Sequence, residues 1–498
     1  MKLVHWILGI PNRRFIAFVL AFYLLLALPL LTLWPPPMVD EALFGSTAKS
    51  LLEKGILGTP LVQGLESHVY WQPPVYFLTL VPVIKVGGYC LATLRVFSVL
   101  VACAIVFVVF ALGLRLTDPV IAKVASVVLV CDPKFVNTAM YGRMDGLCVL
   151  FMLVSLALFA APVFRSKSVN TLAVGLTAAL ASLTHPLGTI APMVLIIYVM
   201  GQATVTIRDR IKTVVLILLP FCVGMSLWGM YVLQDSGSFI HQIGFQLSRK
   251  DRPIASTVMS VIRHYHLYPL SLAIPCLALG ISVVSEIRGR SNLAVVVLFQ
   301  ALVMVIVVAK FEIPYHVYFA PMGALMAAVL LVRFWKKSRS WGRILAGSFG
   351  CGILLNAMLV VGYLNFIHHY ILEHETDYDE FSRNISGYLP SGARVFGRGS
   401  PFLYWGLYAQ RPDIQLRDLV ALDSVVMNQA ARETDYVVFT RAFQPDEDRV
   451  TLSQWTDSFS RLFSENGRKL QLVGAVGTVR RFAYSAEIFE AIPRRTKL

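Results

Sequence analysis

Asp40 and Glu41 stand side by side in WPPPMVDEALFGSTAKSLLEKG (residues 34–55), just past the first long apolar run. A carboxylate there can take a proton from an attacking hydroxyl as a general base. It can equally cap the helix that follows, because acids complement the positive end of a helix dipole. Neighbouring residues point apart on a helix, so only one of the two acids is expected to act as the base. Arg143 and Asp145 share YGRMDG (141–146). Arg143 offers a planar fork for a phosphate. Asp145 can orient a substrate hydroxyl, or share a metal or a proton with Asp40. The plainer alternative is an ion pair at a helix start.

Further polar groups fall in four more short stretches. In HVYWQPP (68–74), His68, Tyr70, Trp71 and Gln72 precede a proline pair. They can form a rim that stacks on sugar and binds phosphate, or an aromatic belt at the membrane surface with proline starting a helix. His185 stands before Pro186 in THPLG, as a cavity residue or a structural one. Lys310, Tyr315 and His316 in KFEIPYH offer a second phosphate contact, although a lysine there can also snorkel. Arg249 and Lys250, in the loop SRKDR, are placed to guide an anionic head group.

The elements that must hold these residues are mostly apolar. Of 498 residues 56% are hydrophobic and 15% charged, well below the charged share of about 25% usual for soluble domains. Mean hydropathy is +0.66. This describes a polytopic α-helical membrane protein. Apolar runs fall near 15–34, 71–87, 92–113, 119–135, 146–162, 168–184, 187–205, 212–232, 265–285, 292–309, 314–332 and 344–364. Three of them, 71–87, 92–113 and 119–135, are one too many for a consistent path, so 11 to 13 crossings are expected. The first external loop (35–70) is expected to hold juxtamembrane helices, and Asp40 and Glu41 open an amphipathic one, with Leu43, Phe44, Thr47, Leu51 and Leu52 on one face and Ser46, Lys49, Ser50 and Glu53 on the other.

Net charge is +15, from 44 Lys+Arg against 29 Asp+Glu. No clustered soluble basic face accompanies it, so a nucleic-acid partner is not expected. The excess reads instead as topology. Lys2, Arg13 and Arg14 place the N-terminus in the cytoplasm, and the basic loop RFWKKSRSWGR (333–343) belongs on the same side. All six polar stretches then fall outside, which argues for one cavity opening outward. From about residue 370 the chain turns polar, with strand-like runs ARVFG, DYVVFT and LQLVGAVGTVRRFAY. A soluble extracytoplasmic α/β domain is expected over 370–498, following a transmembrane catalytic domain over 1–369. The seven cysteines lie in or beside apolar segments and imply no disulfide framework.

Nucleotide-binding glycine loops, a zinc-protease helix and a nucleophile elbow are all missing from the sequence. An activated donor would therefore reside in the membrane. A transporter or flippase of lipid-linked saccharide is the rival class. It would call for inverted repeats and acids at mid-membrane, whereas these acids sit in outer loops and helix ends.

An acidic pair in the first external loop, then an aromatic-rich X-Pro-Pro, then an Arg-x-Asp external motif resembles the GT-C fold glycosyltransferases. Within them, the chain is most similar to the bacterial branch of protein O-mannosyltransferases and the lipid A aminoarabinose transferase. The resemblance is strongest over 15–190 and continues through THPLG and KFEIPYHVYFAPMGALMA. It implies transfer of a sugar, with inversion, from a polyprenyl-phosphate donor to a lipid, glycan or protein acceptor. By the same resemblance Asp40 matches the acid that activates the acceptor, Asp145 a second acid and Arg143 the phosphate-facing arginine. Relatives often carry lysine where this chain has Gln72, which shifts the phosphate contact toward His68, Arg143 or Lys310. No metal is required in principle, since cations can neutralise the leaving phosphate, while the carboxylates leave a divalent metal open.

Overall fold

In the computed structural model, the described residues are 9–32, 35, 37–62, 65–202, 204–249, 254–265, 269–286, 294–309, 313–337, 378–398, 403–418, 424–441, 452–476 and 485–493, with five isolated positions between 347 and 355. They form two units. One holds residues 1–31, 70–76 and 95–363; the other holds 32–69, 77–94 and 364–498.

The first unit is helical. Among the described residues, four helices are long and apolar enough to cross a membrane: Asn12–Leu30, Leu91–Leu116, Ile207–Gly244 and His316–Lys336. A fifth span results if Pro133–Met140 and Met144–Ala160, bent by 112°, count as one. Ile211, Val215, Leu219, Val223 and Leu227 form an exposed apolar stripe at every fourth residue of the helix Ile207–Val232, a surface suited to lipid rather than water. Interior packing relies on small residues that let backbones approach. A Cβ on Gly175 would lie 2.5 Å from the Ile217 carbonyl oxygen, so the helices Lys167–Thr184 and Ile207–Val232 meet there at backbone distance.

Two expected spans are altered. The run 119–135 breaks into Pro119–Val130 and Pro133–Met140. Asp132 causes the break by capping the second helix, accepting from the N–H groups of Lys134 and Phe135 at 3.0 and 3.4 Å. Twelve residues reach only about 18 Å, short of a hydrocarbon core of about 30 Å. The run 71–87 likewise yields a thirteen-residue helix, Val75–Gly87. The expected loop SRKDR is flanked by the helices Ser236–Arg249, which takes in its first residues, and Ile254–Tyr265. The run 344–364 lies almost wholly outside the described residues.

In the second unit, the helix Val39–Lys54 forms where an amphipathic helix is expected and ends on Gly55 at φ 67°, the left-handed conformation that suits glycine. Its polar face is not the expected one. Ser46 and Ser50 are buried, and the Ser46 hydroxyl pairs with that of Thr59 at 2.5 Å while donating to the Leu43 carbonyl. The rest of the unit carries a five-stranded mixed sheet, ordered β2-β1-β3-β5-β4. These strands are β1 (Arg394–Arg398), β2 (Gln415–Asp418), β3 (Tyr436–Arg441), β4 (Arg468–Val476) and β5 (Ser485–Pro493). β1 runs parallel to β2 and β3, and β5 pairs antiparallel with β3 and β4. Phe396, Phe439, Phe459, Phe463 and Phe489 pack its core.

Candidate active site

The first unit gathers polar side chains where its spans break. Tyr141 and Gly142 separate Pro133–Met140 from Met144–Ala160, and Arg143 takes the N-cap position of the second helix with extended backbone. Its guanidinium donates through Nε to Asp145 Oδ2 at 2.8 Å. The two side chains are only 6% and 2% exposed, so the charges neutralise each other away from water. Asp145 Oδ1 is buried and makes no full hydrogen bond among the described residues, with the Tyr318 hydroxyl lying beside the carboxylate. Such an atom is costly unless something else satisfies it, which marks the spot for a ligand.

His185 joins this cluster. Its Nδ1 accepts the Leu187 N–H at 3.1 Å, which caps the turn Pro186–Thr189 and leaves the proton on Nε2 in the neutral ring. The His185 ring meets Tyr315 and Tyr318 with centroids 6.1 and 5.9 Å apart, and it lies near the Asp145 carboxylate. Three segments distant in sequence thus contribute to one buried group.

A second cluster lies one residue from Tyr315. His316 is fully buried and bonds through both ring nitrogens, Nε2 to Asp132 Oδ2 at 2.8 Å and Nδ1 to the Tyr265 hydroxyl at 2.7 Å. Ser271 donates to Asp132 Oδ1 at 2.6 Å, and Lys134 lies 5.9 Å from the centre of the Tyr265 ring. With both nitrogens engaged, His316 serves in this arrangement as a tie between helices rather than as a donor to phosphate. A small cavity of about 20 Å³ adjoins Asp132 and Ser271, walled by Leu129, Leu270, Ile274 and Ala320. Sequence reasoning missed Asp132. The signal was Asp-Pro at 132–133, a helix-start pair inside an apolar run. It missed Arg95 as well, a lone arginine in the run 92–113. Arg95 is fully buried, donates to the Leu31 carbonyl at 3.0 Å and lies 5.9 Å from the Tyr141 ring centre.

The stretch before the proline pair is fixed by Gln242, whose Oε1 accepts the N–H groups of Tyr70 and Trp71 at 2.8 and 3.3 Å. Tyr70 and Gln72 are buried, and Tyr70 packs on Tyr231 at 5.1 Å. Of the other expected residues, Asp40, Glu41 and His68 belong to the second unit. Glu41 is fully buried and accepts the Met38 N–H at 2.8 Å, so it caps the helix start. Asp40 is half-buried. Lys250 and Lys310 lie outside the described residues, as does the Arg249 side chain. Among the described residues, no three His, Cys, Asp or Glu gather as a metal site.

The solved structures that this chain resembles are GT-C glycosyltransferases, and the chain shares their fold. Residues 71–228 match the family model described as dolichyl-phosphate-mannose-protein mannosyltransferase. ArnT from Cupriavidus metallidurans, solved bound to undecaprenyl phosphate, superposes with a TM-score of 0.59 at 11% identity, over 95% of this chain and 97% of that one. The oligosaccharyltransferase AglB from Archaeoglobus fulgidus, solved with an inhibitory peptide and a dolichol-phosphate, gives 0.58 at 9% identity, over 95% and 74%. The mycobacterial arabinofuranosyltransferase AftD gives 0.53 at 15% identity, over 97% and 40%. No curated protein matches the chain by sequence.

Proposed function

We propose that this membrane protein is a glycosyltransferase that moves a sugar from a polyprenyl-phosphate donor to a lipid, glycan or protein acceptor. The observation that carries the reading is the buried Arg143–Asp145 pair, one carboxylate oxygen of which makes no full hydrogen bond among the described residues, set at a broken span in a GT-C fold.

The reaction is a single displacement. An acceptor oxygen attacks the anomeric carbon, the bond from that carbon to the phosphate oxygen breaks, and polyprenyl phosphate departs with the electron pair. Asp40 takes the acceptor proton. Arg143 neutralises charge on the departing phosphate, and Asp145 orients Arg143 while offering Oδ1 to a substrate hydroxyl. Tyr70, Trp71, His185 and Tyr315 wall the sugar's cavity. His68, Lys310, Arg249 and Lys250 add cations for the lipid phosphate. Inversion at the anomeric carbon follows from single displacement. Where a divalent metal takes part, Asp40 and Asp145 are its carboxylate candidates.

The chain then crosses the cell membrane several times, with the N-terminus in the cytoplasm and the residues after 370 outside. Transfer from radiolabelled undecaprenyl-phosphate sugars, pentose and hexose, by the full chain in liposomes tests the reading. Labelled product with wild type and its loss in Arg143→Ala support it. Full transfer by Arg143→Ala would overturn the phosphate role.

A further inference from the structure

Gly45 stands in the middle of the helix Val39–Lys54, where glycine costs about 1 kcal/mol relative to alanine. Its surroundings explain it. A Cβ there would lie 3.0 Å from the Tyr89 ring, 3.1 Å from Leu94 and 3.3 Å from the Trp405 ring. Trp405 comes from the C-terminal segment, is 2% exposed, and sits in a single π-helical turn, Leu403–Leu407. Such turns often mark functional positions. The Trp405 ring stacks on Tyr89 with centroids 5.0 Å apart and planes at 26°. The Tyr89 hydroxyl donates to the Ala42 carbonyl at 3.2 Å. Lys49 lies 5.6 Å from the centre of the Tyr89 ring and 5.1 Å from that of Tyr408. Trp405 Nε1 is buried without a partner among the described residues, so the ring keeps its place despite an unmet donor.

Ala42, Gly45 and Lys49 share one face of the helix. At about 100° per residue, Asp40 falls roughly opposite that face. A grip there fixes the helix's rotation without covering the Asp40 carboxylate. We infer that Trp405 is a positioning residue: the C-terminal segment sets the orientation of Asp40 through a Trp405–Tyr89–Gly45 clamp. This rests on Asp40 being the acceptor's base.

The experiment has two arms on the full chain in nanodiscs. Hydrogen exchange over Val39–Lys54 reads the clamp, and transfer kinetics read its consequence. Trp405→Ala should speed exchange about tenfold over the helix and lower kcat about tenfold, with donor KM unchanged. Trp405→Phe, which keeps the stacked ring, should restore both. Gly45→Val, which wedges the contact open, should repeat the loss. Unchanged exchange in Trp405→Ala overturns the clamp, and so does loss of protection across β3, which would mean the sheet itself had unfolded. Faster exchange with full kcat overturns its link to Asp40. A wild-type protein with no transfer activity would instead refute the functional reading, and the exchange arm would still decide the clamp.

Discussion

The tie between Asp132 and His316 joins residues 184 apart in sequence, and its strength follows from its bonds. Asp132→Ala removes the cap on Pro133–Met140, worth about 1 kcal/mol. It also removes the acceptor for His316, about 1.5–3 kcal/mol for a bond to a charged group, and that for Ser271, about 1 kcal/mol. The sum is about 3.5–5 kcal/mol, in the range for breaking a buried pair. His316→Ala loses the same central bond and strands the Tyr265 hydroxyl, for about 3–4 kcal/mol. The double variant shares that central bond and should cost about 2 kcal/mol less than the sum of the singles. Unfolding of the purified full chain, measured for wild type, both singles and the double, gives the coupling directly. Additivity within about 0.5 kcal/mol would refute the pair as a unit. A wild-type-like Asp132→Ala would refute the cap as well.

Three further outcomes follow from the structure. Arg143→Lys keeps a charge but loses the Nε bond to Asp145 and the planar guanidinium it orients, so transfer should fall about tenfold or more, read as kcat/KM for the polyprenyl-phosphate sugar; an unchanged value removes the guanidinium's special role. Gly175→Leu drives a side chain into the Ile217 backbone and should destabilise the full chain by about 3 kcal/mol, seen as a lower melting temperature in detergent; an unshifted melt would mean the helices do not meet there. Asp435 is hydrogen-bonded by Arg394, which holds its carboxyl below the ordinary value of about 4. Its contribution is therefore present above that ordinary value and lost as pH falls through the lowered one, so exchange across β1 and β3 should accelerate in acid. Asp435→Asn should flatten that dependence, and an identical acid profile in the variant would dismiss the link.

What the sequence revealed depended on how local each signal was. The helix Val39–Lys54 was legible because an acid start, an apolar face and a closing glycine all lie within one short stretch. The inward turn of Ser46 was not, because its partner, Thr59, comes from the chain beyond the helix. Strands β1 and β3 read clearly from Val and Phe runs. β2, with Gln415, Arg417 and Asp418 around Leu416, carries too little apolar pattern to announce itself, and exists because β1 offers it an edge. Arg143 and Asp145 were singled out together as charges at a helix end, and the structure gives the bond between them. The Asp132–His316 tie was invisible, since His316 looks like one more polar residue near the membrane surface until the fold supplies its two partners. Glu41 and Asp40 were equivalent in sequence; hydrogen bonding separates them, assigning the cap to Glu41.

That separation gives the most direct test of the central claim. Asp40→Asn and Glu41→Gln should be compared in one transfer assay with a polyprenyl-phosphate sugar and the full chain in liposomes. Glutamine retains an oxygen to accept the Met38 N–H, so Glu41→Gln should keep most of its activity. Asparagine cannot take a proton, so Asp40→Asn should lose about a hundredfold or more in kcat. Full transfer by Asp40→Asn would contradict the account.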